Sequence, residues 1–88
     1  MKLNPKFLTH ETRGEHYIIP TSNAGFNGIV KNNETAAFIV ECLKTDTTTE
    51  QIADKLLAEY HDADRTTVLH DVMNIVNKLR SIGAIDDE

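Results

Sequence analysis

Asp64-Arg65-Thr66-Thr67-Val68-Leu69-His70-Asp71-Val72-Met73-Asn74-Ile75-Val76-Asn77-Lys78-Leu79-Arg80-Ser81-Ile82-Gly83 is the stretch that decides the fold. Val68, Val72, Ile75, Leu79 and Ile82 recur at steps of four, three, four and three, the period of one helix face turned to a core. Asp64 supplies an N-cap, and Gly83 closes the helix where left-handed backbone is needed. Leu69, Met73 and Val76 make a second apolar row, continued by Arg80. A helix on a small core needs one stripe about 100° wide. This stripe is wider, so part of it packs on a second layer or stays available to a partner.

Working back along the chain, Thr48-Thr49-Glu50-Gln51 is a capping box, in which the Thr48 hydroxyl and the Gln51 side chain each bond the other's backbone N–H. It opens a helix to about residue 60 with Ile52, Ala53, Leu56 and Tyr60 inward, and His61-Asp62-Ala63 turns the chain into the last helix. Asn32-Asn33 caps an earlier helix over 34–44, with Ala36, Ile39, Val40 and Leu43 on one face and Phe38 and Cys42 beside it. Ahead of the helices the pattern is β-prone. Strands are predicted over 7–12 and 15–19, joined by Arg13-Gly14 as a two-residue hairpin turn and ended by Pro20. Residues 21–25 read as loop, and a third strand follows over 26–31, with Gly28 marking a bulge or a close backbone approach. The predicted fold is α+β: three N-terminal antiparallel strands followed by a three-helix bundle, winged helix-turn-helix-like, as one domain over 1–88.

The chain has 88 residues and a net charge of −5. Residues 1–44 carry +1 and residues 45–88 carry −6. An acidic balance counts against nucleic acid, whose affinity comes from neutralising phosphates with excess cations. The single cysteine, Cys42, forms no internal disulfide, and with no targeting peptide in the N-terminal residues the expected compartment is the reducing cytoplasm. No apolar run approaches the ~20 residues a bilayer span needs. His10, His16, His61 and His70 have no metal-ligand spacing, and no nucleophile, phosphate loop or carboxylate pair stands out. The expectation is a non-enzyme with no catalytic residue, no metal and no cofactor.

Two features invite a function. The helix pair over 48–60 and 64–82 beside a small sheet is the layout of a winged helix-turn-helix, so a DNA-binding transcriptional regulator is one reading. Its recognition helix would begin Arg65-Thr66-Thr67 and carry Asp71, in the half of the chain with net −6, which is poor chemistry for a major groove. The other feature is the third strand with the surplus helix row. An outer strand keeps one free edge, to which an extended peptide can add with its backbone while its side chains enter an apolar slot. Gly28, Ile29 and Val30 offer the edge, and Leu69, Met73 and Val76 the slot. The alternative is that this row merely packs on the sheet, or that the edge pairs with a second copy as a homodimer.

Phe26-Asn27-Gly28-Ile29-Val30-Lys31-Asn32-Asn33-Glu34-Thr35-Ala36-Ala37-Phe38-Ile39 resembles the strand-to-helix signature of PqqD-like proteins, named for pyrroloquinoline quinone synthesis protein D. Thr48-Thr49-Glu50-Gln51-Ile52, the stretch 60–64, Asp71-Val72, Leu79 and Ser81-Ile82-Gly83-Ala84-Ile85 continue it over nearly the whole chain. The resemblance implies a recognition element for ribosomally made, post-translationally modified peptides. Such an element binds a precursor's leader peptide as an added strand, in the cleft between the third strand and the third helix. It presents the core to a maturase, often a radical S-adenosylmethionine enzyme. Carried onto this chain, the implied peptide-binding residues are Gly28, Ile29, Val30, Lys31, Leu69, Met73, Val76 and Arg80. Asn32 stands where the family often has leucine, and Val40 and Cys42-Leu43 replace its usual Trp-Glu-Leu-Leu, a form more like relatives outside the quinone pathway.

Overall fold

The computed structural model describes residues 1–21, 25 and 28–87. The elements run β1 (Lys2–Leu3), β2 (Phe7–Thr12), β3 (Glu15–Pro20), β4 (Val30–Asn32), α1 (Glu34–Cys42), α2 (Thr49–Glu59), α3 (Arg65–Ser81) and β5 (Ile85–Asp86). Three antiparallel strands in the order β2-β3-β4 precede the three helices, as the sequence predicts.

The β2–β3 hairpin turns on Arg13 and Gly14, whose φ angles of 52° and 78° are both positive. That pair of left-handed residues makes a type I′ turn, whose twist suits antiparallel strands. β3 is the central strand and holds Ile18, the most buried side chain of the sheet, between Thr9 on β2 and Val30 on β4. Cross-strand partners share a face, so Thr9, Ile18 and Val30 point toward the helices while His10, Tyr17 and Lys31 point away.

Each helix begins at the expected cap. The Asn33 side chain accepts from the Ala36 N–H, Thr48 and Gln51 form both bonds of the capping box, and the Asp64 carboxylate accepts from the Thr67 N–H. α3 ends in a Schellman motif. Gly83 has φ +80°, its N–H donates to the Arg80 carbonyl, and the Ala84 N–H donates to the Leu79 carbonyl at 2.8 Å. The core gathers Phe7 and Ile18 from the sheet, Ile39, Val40 and Leu43 from α1 and its C-cap, Ile52, Ala53 and Leu56 from α2, and Val68, Val72, Val76 and Leu79 from α3.

Four expectations need correction. The third strand begins at Val30 and extends to Asn32, so Gly28 and Ile29 precede the ladder and no bulge at Gly28 interrupts it. Phe26 and Asn27, also assigned to that strand, and Ser22, Asn23 and Ala24 of the loop lie outside the described residues. Tyr60 does not enter the core, because the chain leaves α2 there; its ring stands edge-on to half-buried Phe38, with centroids 6.2 Å apart. Val76 replaces Ile75 in the central seam: Val76 is 3% exposed and Ile75 only half-buried.

A second ribbon went unpredicted. β1 pairs antiparallel with β5, matching Lys2 to Asp86 and Leu3 to Ile85. The Leu3 N–H donates to the Leu43 carbonyl and the Asn4 N–H to the Ala84 carbonyl, each at 2.7 Å. These bonds strap the first residues across the end of α1 and the end of α3.

Candidate functional site

β4 is the outer strand of its sheet. One side pairs with β3, through His16↔Asn32, Tyr17↔Lys31 and Ile18↔Val30, and among the described residues no strand pairs with the other. That open edge adjoins a groove between β4 and α3. A hollow of about 210 Å³ lies among Val30, Lys31, Asn32, Ile75, Lys78 and Leu79. A neighbouring hollow of about 300 Å³ shares Asn33, Ala36, Ile75 and Lys78 with it and reaches Thr35, Asp71 and Asn74. Together they form one trough along the strand-to-helix junction, with an apolar floor of Ala36, Ile75 and Leu79 and a polar rim.

The sequence folds this way locally because Asn33 alone separates strand from helix. Its side chain caps α1 directly after β4 ends, so the strand edge and the first turn of α1 are held as one unit. On the face of the sheet turned away from the helices, the Lys31 ammonium lies 3.1 Å from a Glu15 carboxylate oxygen, and the Tyr17 hydroxyl donates to the same carboxylate. The Tyr17 bond first, and then Lys31, hold the Glu15 carboxyl below its usual range, while Glu15 raises Lys31. Lys31 is thereby drawn across the sheet toward Glu15.

The predicted site residues fall into three groups. Gly28, Ile29, Val30 and Lys31 lie along or just before the open edge, with Ile29 65% exposed. Leu69 and Met73 lie elsewhere, in a shallow apolar hollow of about 390 Å³ with Thr66, Thr67 and His70 that shares no residue with the β4 groove. Val76 is in the core and lines neither. The helical period explains the division. At about 100° per residue, the row Leu69, Met73 and Arg80 lies roughly opposite the row Asp71, Asn74 and Lys78 around α3, and the second row is the one beside β4.

Arg80 is occupied in another way. Its guanidinium makes two bonds to the Asp87 carboxylate, at 2.7 and 2.9 Å, which raises Arg80 and lowers Asp87 from their ordinary values. The groove residues that the sequence did not mark as peptide-binding are Asp71, Asn74, Ile75 and Lys78 on α3, Ala36 on α1 and Asn33 at its cap. Their spacing at 71, 74, 75 and 78 was legible as one helix face, but three of the four are polar.

Other chemistry is thin. Among the described residues no three His, Cys, Asp or Glu side chains converge as a metal site, and no helix is long and apolar enough to cross a membrane. Cys42 is buried, and desolvation pushes its thiol up, away from the reactive thiolate. Arg65, the one cation at the start of α3, is held by Asp54 at 2.6 Å rather than left free for a phosphate.

Two solved structures share this architecture. One is TbiB1 in complex with the TbiA(beta) leader peptide, at TM-score 0.83 and 19% identity over 100% of this chain and 98% of that one. The other is a lasso peptide synthetase B1 complexed with the leader peptide, at TM-score 0.75 and 22% identity over 94% of this chain and 93% of that one. No curated protein sequence matches the chain. The family model of coenzyme PQQ synthesis protein D, PqqD, matches residues 10–85, so with its three strands, three helices and open β4 edge the chain belongs to the PqqD family.

Proposed function

We propose that this chain is a non-catalytic recognition domain that binds the leader segment of a ribosomally made precursor peptide by strand addition. The carrying observation is the edge of β4 that no described strand pairs, running beside a trough with an apolar floor. An extended peptide satisfies backbone groups along that edge and places alternate side chains over Ala36, Ile75 and Leu79. Each fully buried aliphatic anchor contributes about 1.5–3 kcal/mol before ordering costs, so two or three anchors add roughly 3–9 kcal/mol to the ladder bonds, against the roughly 4–15 kcal/mol that association loses. Membership of the PqqD family and likeness to two proteins solved with leader peptides favour the same role.

The peptide-binding residues in this proposal are Val30 and Lys31 on the edge and Gly28 and Ile29 just before it, joined by Ile75 and Lys78 from α3. The domain spans 1–88, works in the cytoplasm, and hands the bound precursor to a modifying enzyme, for which a radical S-adenosylmethionine maturase is the leading candidate. Leu69, Met73 and Arg80 stand on the opposite side of α3, free of the groove.

The test is titration of the chain with synthetic leader segments of short candidate precursor peptides, followed by amide hydrogen exchange. Binding is expected with new protection at 30–32 and shifts at Ile75 and Lys78. Binding that leaves β4 unprotected and moves Leu69 and Met73 instead would relocate the site and refute strand addition here. Light scattering of the free chain checks the competing occupant. A dimer that the peptide fails to dissociate, protected at 30–32 before any peptide is added, would assign the edge to a second copy.

A further inference from the structure

The charged residues of the groove are not used by backbone pairing. Asp71 and Lys78 lie seven positions apart on the same face of α3, about 10 Å along its axis. Both are exposed, and among the described residues neither is in an ion pair. Between them on that face is Ile75, the apolar member of the row.

The two hollows also fix a direction. Leu79 is grouped with Val30 and Lys31 at the start of β4, whereas Asp71 and Asn74 are grouped with Asn33 and Thr35 beyond its end. β4 and α3 therefore run in opposite senses. Every described strand pair is antiparallel, and antiparallel pairing is slightly the more stable per residue. A guest antiparallel to β4 runs with α3, from the Asp71 end toward the Lys78 end.

We propose that the groove selects its peptide by the order of charge around an anchor. A large aliphatic or aromatic side chain sits over Ile75 and Ala36. An Asp or Glu on its C-terminal side faces Lys78, and a Lys, Arg or neutral donor on its N-terminal side faces Asp71. An extended chain rises about 3.4 Å per residue, so the two charges fall roughly two to four positions apart with the anchor between them. A net charge of −5 repels acidic peptides in general, which makes Lys78 the feature that admits this carboxylate. The inference rests on the groove being a peptide site, as proposed above.

The experiment is selection of a phage-displayed library of random short peptides on the immobilised full chain, in parallel with Lys78→Glu and Asp71→Lys. Rim ion pairs of this kind change affinity by about two- to fivefold each, which repeated rounds amplify into a consensus. The wild-type chain is expected to enrich an apolar anchor followed by Asp or Glu. Lys78→Glu turns the downstream preference basic, and Asp71→Lys turns the upstream one acidic. Both positions are exposed, and the wild-type consensus decides the matter even where a variant fails to fold. The reverse charge order on the wild-type chain would overturn the assignment. Anchored peptides with no charge preference, unchanged by Lys78→Glu, would remove the charge selection while leaving the peptide site standing. Enrichment of no anchored sequence at all would overturn both.

Discussion

Val76→Ala is the substitution that most directly tests which face of α3 meets the core. Val76 is 3% exposed and packs with Val72 and Leu79, whereas Met73, three positions earlier, is 52% exposed. Truncation at Val76 removes two methyl groups, worth about 0.8 kcal/mol each in transfer from water. The unfilled space adds about 24 cal/mol per Å³ that the surroundings fail to close, for a total of about 2–3 kcal/mol. Unfolding entropy near 2.1 cal/mol/K per residue, over 88 residues, converts this to a fall in midpoint of about 10–15 °C. A domain of this length has about 4–13 kcal/mol of stability in all, so the variant keeps a folded baseline. Met73→Ala is the matched control, with an expected loss of about 1 kcal/mol or less. Urea denaturation followed by circular dichroism measures both, with m unchanged. A larger loss at Met73 than at Val76 would mean that α3 presents its other row inward, and the groove drawn beside β4 would be wrong.

Three further outcomes are expected. Thr48→Ala deletes the hydroxyl that accepts from the Gln51 N–H at 3.2 Å and lowers stability by about 1 kcal/mol, read by urea denaturation, while Thr48→Ser keeps the cap and most of the stability. Arg13→Asn stabilises by up to about 1 kcal/mol in the same assay, since asparagine tolerates the left-handed backbone of a type I′ turn better than arginine does. The Glu15 carboxyl, lowered by Tyr17 and Lys31, adds stability above its ordinary value of 4.5 that is lost as pH falls through its lower folded value. Glu15→Gln should therefore flatten the acid side of a stability–pH profile measured by urea midpoints, and an unchanged acid limb would deny Glu15 that role.

Much of the fold was legible because local chemistry and tertiary packing agree. Asn33, Thr48, Asp64 and Gly83 mark helix ends through backbone groups that must find partners, and those partners are adjacent in sequence. The β1–β5 ribbon was not legible, because two-residue strands carry no periodicity and their pairing joins residues more than eighty positions apart. The groove proposed as the site was legible in the sequence only in part. Turn and strand chemistry located an outer edge near Val30 and Lys31, but apolarity pointed to Leu69 and Met73 as its companion surface. The groove beside β4 has a mixed lining, and Asp71, Asn74 and Lys78 around Ile75 look in sequence like an ordinary solvated face. Only the rotation of α3, set by Val76 entering the core ahead of Ile75, shows which row meets the strand.

The brevity of β4 has a thermodynamic consequence of its own. Three residues present so few outward N–H and C=O groups that, at about 1 kcal/mol net for each bond, they fall short of the 4–15 kcal/mol lost when two free molecules become one. The edge by itself is too weak to recruit sister molecules into runaway polymer. In the proposed binding mode a ligand stays only by inserting a side chain into the adjoining trough as well, so sheet extension and anchoring act as two keys that must turn together.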